Sequence, residues 1–192
     1  MAGKQAKILQ EKSISALVRS TRSSRYPERD KVIALLSIKA GLRAAEISKL
    51  TWPMVLTPTG QISDIIELND NAAKKRHGRT IPLHYELKVA LRKLSFTIEP
   101  LTGPIVRSER GGHMTPMSIV NWFALKYREL GLDGCSSHSG RRTFVTRAAR
   151  LVHKAGGSLR DVQLLAGHRS IQTTQRYIDG DSDAQRRLVA LI

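Results

Sequence analysis

Residues 62–83 decide how this chain is read. Ile62, Ile65, Ile66 and Leu68 form a short aliphatic run, Asn69 to Arg79 is polar and strongly basic, and Thr80-Ile81 makes a second run that Pro82 stops. β-Branched side chains suit a pleated, half-buried surface, and two such runs around a polar segment are the pattern of a hairpin. The tip of that hairpin carries Lys74, Lys75, Arg76, His77 and Arg79.

Outward from this stretch the spacing is helical. Upstream, Ile8 to about Val18 predicts a short helix, and Ser20 to Arg29, which contains Pro27, predicts a loop. Asp30 is the expected cap of a helix with the apolar stripe Val32, Leu35, Leu36 and Ile38, ended by Gly41. A second helix is expected at once, roughly Ala44 to Leu50, with Ile47 and Leu50 inward. Downstream, Tyr85 to Leu94 has helical spacing, and Thr115-Pro116 reads as a cap followed by proline at the first helical position. From there the chain reads as helix almost to its end. Trp122, Phe123, Tyr127 and Leu130 form a core stripe, Ser158-Leu-Arg-Asp161 resembles a capping box, and Gly167 closes the helix that follows. The predicted fold class is mainly α with a small antiparallel β-sheet near residues 60–82.

The chain has 192 residues, 41% of them apolar, which suits one ordered domain. Its 32 basic and 16 acidic residues give a net charge of +16. So large a field repels itself unless a polyanion meets it. Nucleic acid is the first candidate and an anionic membrane the second. The basic residues are spread along the chain, which favours a broad cradle over a basic arm. No apolar segment follows the lysines of Met1 to Gln10, and runs such as Val32 to Leu36 are far too short to span a bilayer. The single cysteine, Cys135, allows no internal disulfide and no thiolate-cluster zinc site. An intracellular, cytoplasmic location is the default expectation.

Five segments hold candidates for phosphate chemistry. They are Gly41-Leu42-Arg43-Ala44-Ala45-Glu46, the hairpin from Lys74 to Leu83, His138-Ser139-Gly140-Arg141, Leu165-Ala166-Gly167-His168, and Arg176-Tyr177-Ile178. Singly each is a weak signal. An arginine at a helix start is usually a solvated group, a lysine-rich hairpin usually a solvated turn, and His-x-x-Arg is common by chance. In this order and at this spacing they resemble the active-site motifs of the tyrosine recombinase, or phage integrase, family. The resemblance runs from about residue 10 to about residue 180.

That resemblance implies a mostly helical catalytic domain with a small three-stranded sheet and a site made of Arg43, Lys74, His138, Arg141, His168 and Tyr177. Arg43 and Arg141 would clamp the nonbridging oxygens of a phosphodiester, since a guanidinium is a rigid and permanently charged fork. His168 would add a donor. Tyr177 would be the nucleophile, with His138 the expected acceptor of its proton and Lys74 the donor to the departing 5′ oxygen. The product would be a 3′-phosphotyrosine and a free 5′-hydroxyl. The phosphoester is exchanged rather than hydrolysed, so no ATP is expected. Arginines carry the charge that a metal would otherwise neutralise, so no metal or other cofactor is expected. Glu46 resembles the family's accessory acid, orienting a histidine or arginine; an ordinary ion pair within its helix is the other reading. Lys75, Arg76, Arg79 and Arg142 are expected on DNA phosphates.

The sequence departs from the family in places. Arg142 stands where many relatives have a second histidine, and Gly140 where leucine is common. Lys75 could replace Lys74 by a one-residue shift of the hairpin, although the spacing to Pro82 favours Lys74. Residues 1–192 are expected to form a single catalytic domain without the DNA-binding domain that precedes it in most relatives, either as a catalytic-domain-only member or as an excised domain of a longer protein, with residues 1–10 flexible and a C-terminal tail at 181–192. Weaker and more salt-sensitive DNA binding is the consequence expected. The tail either docks on a neighbouring subunit or packs on its own domain. The implied partner is double-stranded DNA, with a homotetramer on DNA and a monomer when free, and no membrane. The implied function is site-specific recombination. A nicking-closing enzyme like a type IB topoisomerase and a catalytically silent DNA-binding regulator are the alternatives.

Overall fold

The computed structural model describes residues 6–73, 78–177, 189, 190 and 192. The chain divides into two compact units, one up to Phe144 and one from Val145. The first holds α1 (Glu11–Ser20), α2 (Pro27–Lys39), α3 (Ala44–Lys49), β1 (Ile65–Leu68), β2 (Arg79–Pro82), α4 (Tyr85–Ser95), α5 (Pro116–Glu129) and the start of α6 (Ser139–Leu151). The second holds the rest of α6, then α7 (Leu159–Ala166) and α8 (Ile171–Gln175). The fold is mainly helical with a small antiparallel sheet, the class expected.

Helix α2 is the core of the first unit. Every residue from Val32 to Ile38 is buried, and α1, α3 and α4 pack on it. Sequence spacing predicts one apolar stripe. The helix is instead enclosed on several sides, so even Ser37 is buried. It also begins earlier than expected. Pro27 occupies the first turn, where its fixed φ and missing N–H cost nothing, so the loop ends at Tyr26. Asp30 is therefore not a cap. It lies inside the helix, buried, and accepts Nε and Nη2 of Arg29 at 2.9 and 2.8 Å.

The sheet pairs Ile66 with Ile81 and Leu68 with Arg79. Ile66, Leu68 and Ile81 are buried while Glu67 and Thr80 are exposed, the alternation of a sheet with one face on a core. Among the described residues the sheet has two strands, not the three implied by the resemblance, and Leu56 and Ile62 pair only as an isolated bridge. Helix α4 follows directly, and Thr115 caps α5 by accepting the N–H of Ser118 at 3.1 Å.

The first turn of α6 crosses the C-terminal end of α2 at close range. A Cβ on Gly140 would overlap Ser37 Oγ and lie 3.0 Å from Ser37 Cβ, and one on Gly41 would overlap the Phe144 ring. Gly140 and Phe144 are four apart in α6, so one face of that helix makes the contact. The N-terminal segment is fastened to the same turn. Leu9 is buried and its N–H donates to Thr143 Oγ1 at 2.8 Å, while Arg142 Nη1 donates to the Ala6 carbonyl at 2.9 Å. Residues 6–10 are thus tied down, against the expected flexibility of the first ten.

In the second unit the expected capping box is present. Asp161 Oδ2 accepts both the N–H and the hydroxyl of Ser158, at 2.8 and 3.0 Å, and these bonds lower the Asp161 pKa. Gly167, at φ 62°, ends α7 in the left-handed conformation that favours glycine. Among the described residues no helix is long and apolar enough to cross a membrane.

Candidate active site

In the first unit a cluster of charged side chains forms at the end of α2. Gly41 takes φ +64° and turns the chain out of the helix, and Arg43 becomes the N-cap of α3. An arginine side chain has no acceptor with which to cap. Glu46, three residues on, satisfies the free helix end instead, its Oε2 accepting the N–H of Arg43 at 2.9 Å. Its Oε1 accepts Arg43 Nη1 at 2.9 Å. From the first position of β2, Arg79 reaches the same carboxylate with both fork nitrogens, at 3.0 and 3.1 Å.

Glu46 is therefore a buried carboxylate held between two guanidinium groups. Burial by itself would raise its pKa. The hydrogen bonds and charge of Arg79, then the backbone bond and charge of Arg43, outweigh that and lower it from 4.5 to about 2. The two arginines differ in reach. The Arg79 side chain is 8% exposed and that of Arg43 20%. Arg79, expected on DNA phosphate, has its fork turned onto Glu46, because a buried carboxylate is stable only when its lone pairs are matched.

Arg141 joins this cluster from α6. It is buried, and its Nη1 donates to the carbonyl of Gly41 at 2.6 Å, two residues before Arg43. His138 lies one turn earlier, exposed, with its carbonyl accepting the Arg142 N–H at 2.8 Å. The i, i+3 spacing sets His138 and Arg141 on one side of the α6 start. Arg142, also expected on phosphate, is the residue that holds the N-terminal segment at Ala6. Lys74, Lys75 and Arg76 lie outside the described residues, as does most of the 181–192 tail.

The second unit holds His168 and Tyr177. His168 follows Gly167 and is buried. Its N–H donates to the Gln163 carbonyl at 3.1 Å, and its own carbonyl accepts Gln163 Nε2 at 2.9 Å. Its ring stacks on that of Tyr177, with centroids 5.6 Å apart and planes 21° apart, and Nδ1 sits 3.0 Å from Thr174 Oγ1. Among the described residues no three His, Cys, Asp or Glu side chains gather into a metal-binding group.

A comparison with known proteins decides the family. The sequence model of the phage integrase family matches residues 7–183. The chain belongs to the phage integrase family. Among similar members, tyrosine recombinase XerC of Rhizobium meliloti is 32% identical over 156 residues, 80% of this chain and 46% of that protein. Tyrosine recombinase XerD of Haemophilus influenzae is 27% identical over 170 residues, 83% of this chain and 53% of that protein. This phage integrase family chain thus spans about half the length of the relatives it matches. Solved structures share its fold. The XerA recombinase superposes with a TM-score of 0.76 at 20% identity, covering 98% of this chain and 65% of that one. The XerH recombinase bound to a palindromic difH substrate, in a post-cleavage complex, gives 0.74 at 16% identity, covering 97% and 53%.

Two features of this integrase-family site escape a reading of the sequence. The Arg79–Glu46 fork joins residues 33 positions apart, and no local signal announces it beyond an arginine beside a β-branched pair. Thr174 stands inside the terminal motif, yet only the fold sets it against His168.

Proposed function

We propose that this chain supplies the catalytic domain of a site-specific DNA recombinase. In this reading the Tyr177 hydroxyl attacks a backbone phosphorus and gives its proton to His138. The Tyr177 oxygen–phosphorus bond forms as the bond to the 5′ oxygen breaks. Lys74 protonates the departing 5′ oxygen, and Arg43, Arg141 and His168 bind the nonbridging oxygens. The 5′-hydroxyl of another strand then reverses the step and completes the exchange. Each donor aimed at the developing charge is worth about 3 kcal/mol in the transition state.

The observation that carries this reading is the anchoring of Arg141 on the Gly41 carbonyl, which sets two guanidinium groups beside one chain reversal. The Glu46–Arg79 pair supports it by fixing Arg43 while neutralising one of the charges around it. The net charge of +16 supports a duplex DNA substrate. Assembly as a homotetramer on DNA, from monomers in solution, follows from the same reading.

Strand transfer tests it. The chain is mixed with two labelled duplexes carrying DNA that flanks its coding sequence. Joining of one label to the other duplex is expected. Relaxation of supercoiled DNA without joining would favour a nicking-closing enzyme, and duplex binding without either would favour a silent regulator.

A further inference from the structure

Thr174 meets one ring nitrogen of His168. Its side chain is fully buried in α8, and among the described residues its hydroxyl has one hydrogen-bond partner, Nδ1 of His168 at 3.0 Å. A hydroxyl has one hydrogen and two lone pairs. Were Nδ1 protonated, it would donate to Oγ1 and leave the hydroxyl hydrogen buried without an acceptor. With Nδ1 unprotonated, the hydroxyl donates to it and both groups are satisfied. A buried donor left unmatched is costly, so the second arrangement wins.

The ring has little freedom to escape this choice. The backbone of His168 is clasped on both sides by Gln163, whose carbonyl accepts its N–H and whose amide donates to its carbonyl. One face of the ring is stacked on Tyr177. Rotating the ring by half a turn would put a carbon, not a nitrogen, against the hydroxyl.

We propose that Thr174 is a positioning residue that holds neutral His168 as the Nε2–H tautomer. A ring in that state donates from Nε2 and has no lone pair there. It can bind a nonbridging phosphate oxygen but cannot take a proton at that atom. In the reaction proposed above, His168 then donates through Nε2 and is not the acceptor of the Tyr177 proton. The consequence for chemistry rests on the recombinase reading above; the tautomer does not.

The test labels the histidines of the full chain with nitrogen-15 and records their ring signals at a pH where imidazole is neutral. His168 is assigned by its disappearance in His168→Gln. A protonated Nε2 and an unprotonated Nδ1 are expected in the wild type and in Thr174→Ser, which keeps the hydroxyl. Thr174→Val, which lacks it, is expected to populate both tautomers and to slow covalent attachment to nicked DNA about tenfold. A protonated Nδ1 in the wild type, or an unchanged tautomer in Thr174→Val, would overturn the inference. Should Thr174→Val fail to fold, the wild-type and Thr174→Ser spectra still decide it. The ring signals need no DNA. A wild-type chain that attaches to none would overturn the recombinase reading and leave the tautomer assignment standing.

Discussion

Glu46 shows how single residues set this site. Its side chain is 1% exposed and carries three arginine side-chain hydrogen bonds and one backbone hydrogen bond. It pairs both with Arg43 at the start of its own helix and with Arg79, 33 positions away. Its folded pKa, about 2, lies below its ordinary 4.5, so the unfolded chain binds the proton more readily. The stabilisation is therefore complete above pH 4.5 and is lost as pH falls through about 2. Glu46→Gln is expected to cost about 3 kcal/mol at neutral pH, in the range for a buried pair that loses one partner. Denaturant unfolding across pH measures this. The difference between variant and wild type should shrink steadily below pH 4.5, and a difference independent of pH would show that the charge of Glu46 is not what stabilises.

Among the elements, the crossing of α2 and α6 matters most, because it sets Arg141 beside the segment that carries Arg43. It works only because Gly140 has no side chain where it meets Ser37 and Ile38. This accounts for Gly140, the departure from leucine noted in the sequence: Ser37 and Ile38 leave no room for a side chain. Gly41 adds a second constraint, since it combines φ +64° with the Phe144 ring against its Cα. Gly41→Ala is expected to lower stability by about 2–3 kcal/mol, from the left-handed backbone and overpacking together. Gly140→Leu should cost more than Gly140→Ala, and Ser37→Gly should recover part of the Gly140→Ala loss. Thermal melts read all four.

How far the elements were legible follows from how local their signals are. The hairpin, α3, α4, α5 and the caps at Thr115 and Ser158 are announced by β-branched runs, apolar spacing and cap residues within a few positions. The start of α2 departs from the expectation because Asp30 is a good cap residue, whereas Pro27 already fixes the first turn. The all-round burial of α2 depends on three neighbouring helices, and no single-helix pattern contains that. The bonds of Arg79 to Glu46 and of Arg142 to the Ala6 carbonyl lie outside any local pattern for the same reason: each joins residues far apart in the chain.

For the whole molecule, charge is the dominant property. The sequence carries +16, and several of its guanidinium groups are spent inside the fold, on Glu46, Asp30 and backbone carbonyls. The remainder should bind the DNA backbone with little regard to sequence, releasing counterions as they do. Duplex affinity is expected to fall by about a thousandfold between about 50 and 200 mM salt. A fluorescence titration over that range checks it, and a flat response would argue against backbone contacts as the main source of binding.

The central claim is that Tyr177 becomes joined to DNA. Its direct measurement uses nicked duplexes that lose the 5′ fragment after cleavage, so that religation cannot hide the intermediate. Products are run on a denaturing gel beside Tyr177→Phe. A covalent protein–DNA adduct that forms with the wild type, is absent from the Phe variant and maps to the peptide containing Tyr177 is the expected result. Tight binding to the same DNA with no adduct, or an adduct that persists in Tyr177→Phe, would contradict the account.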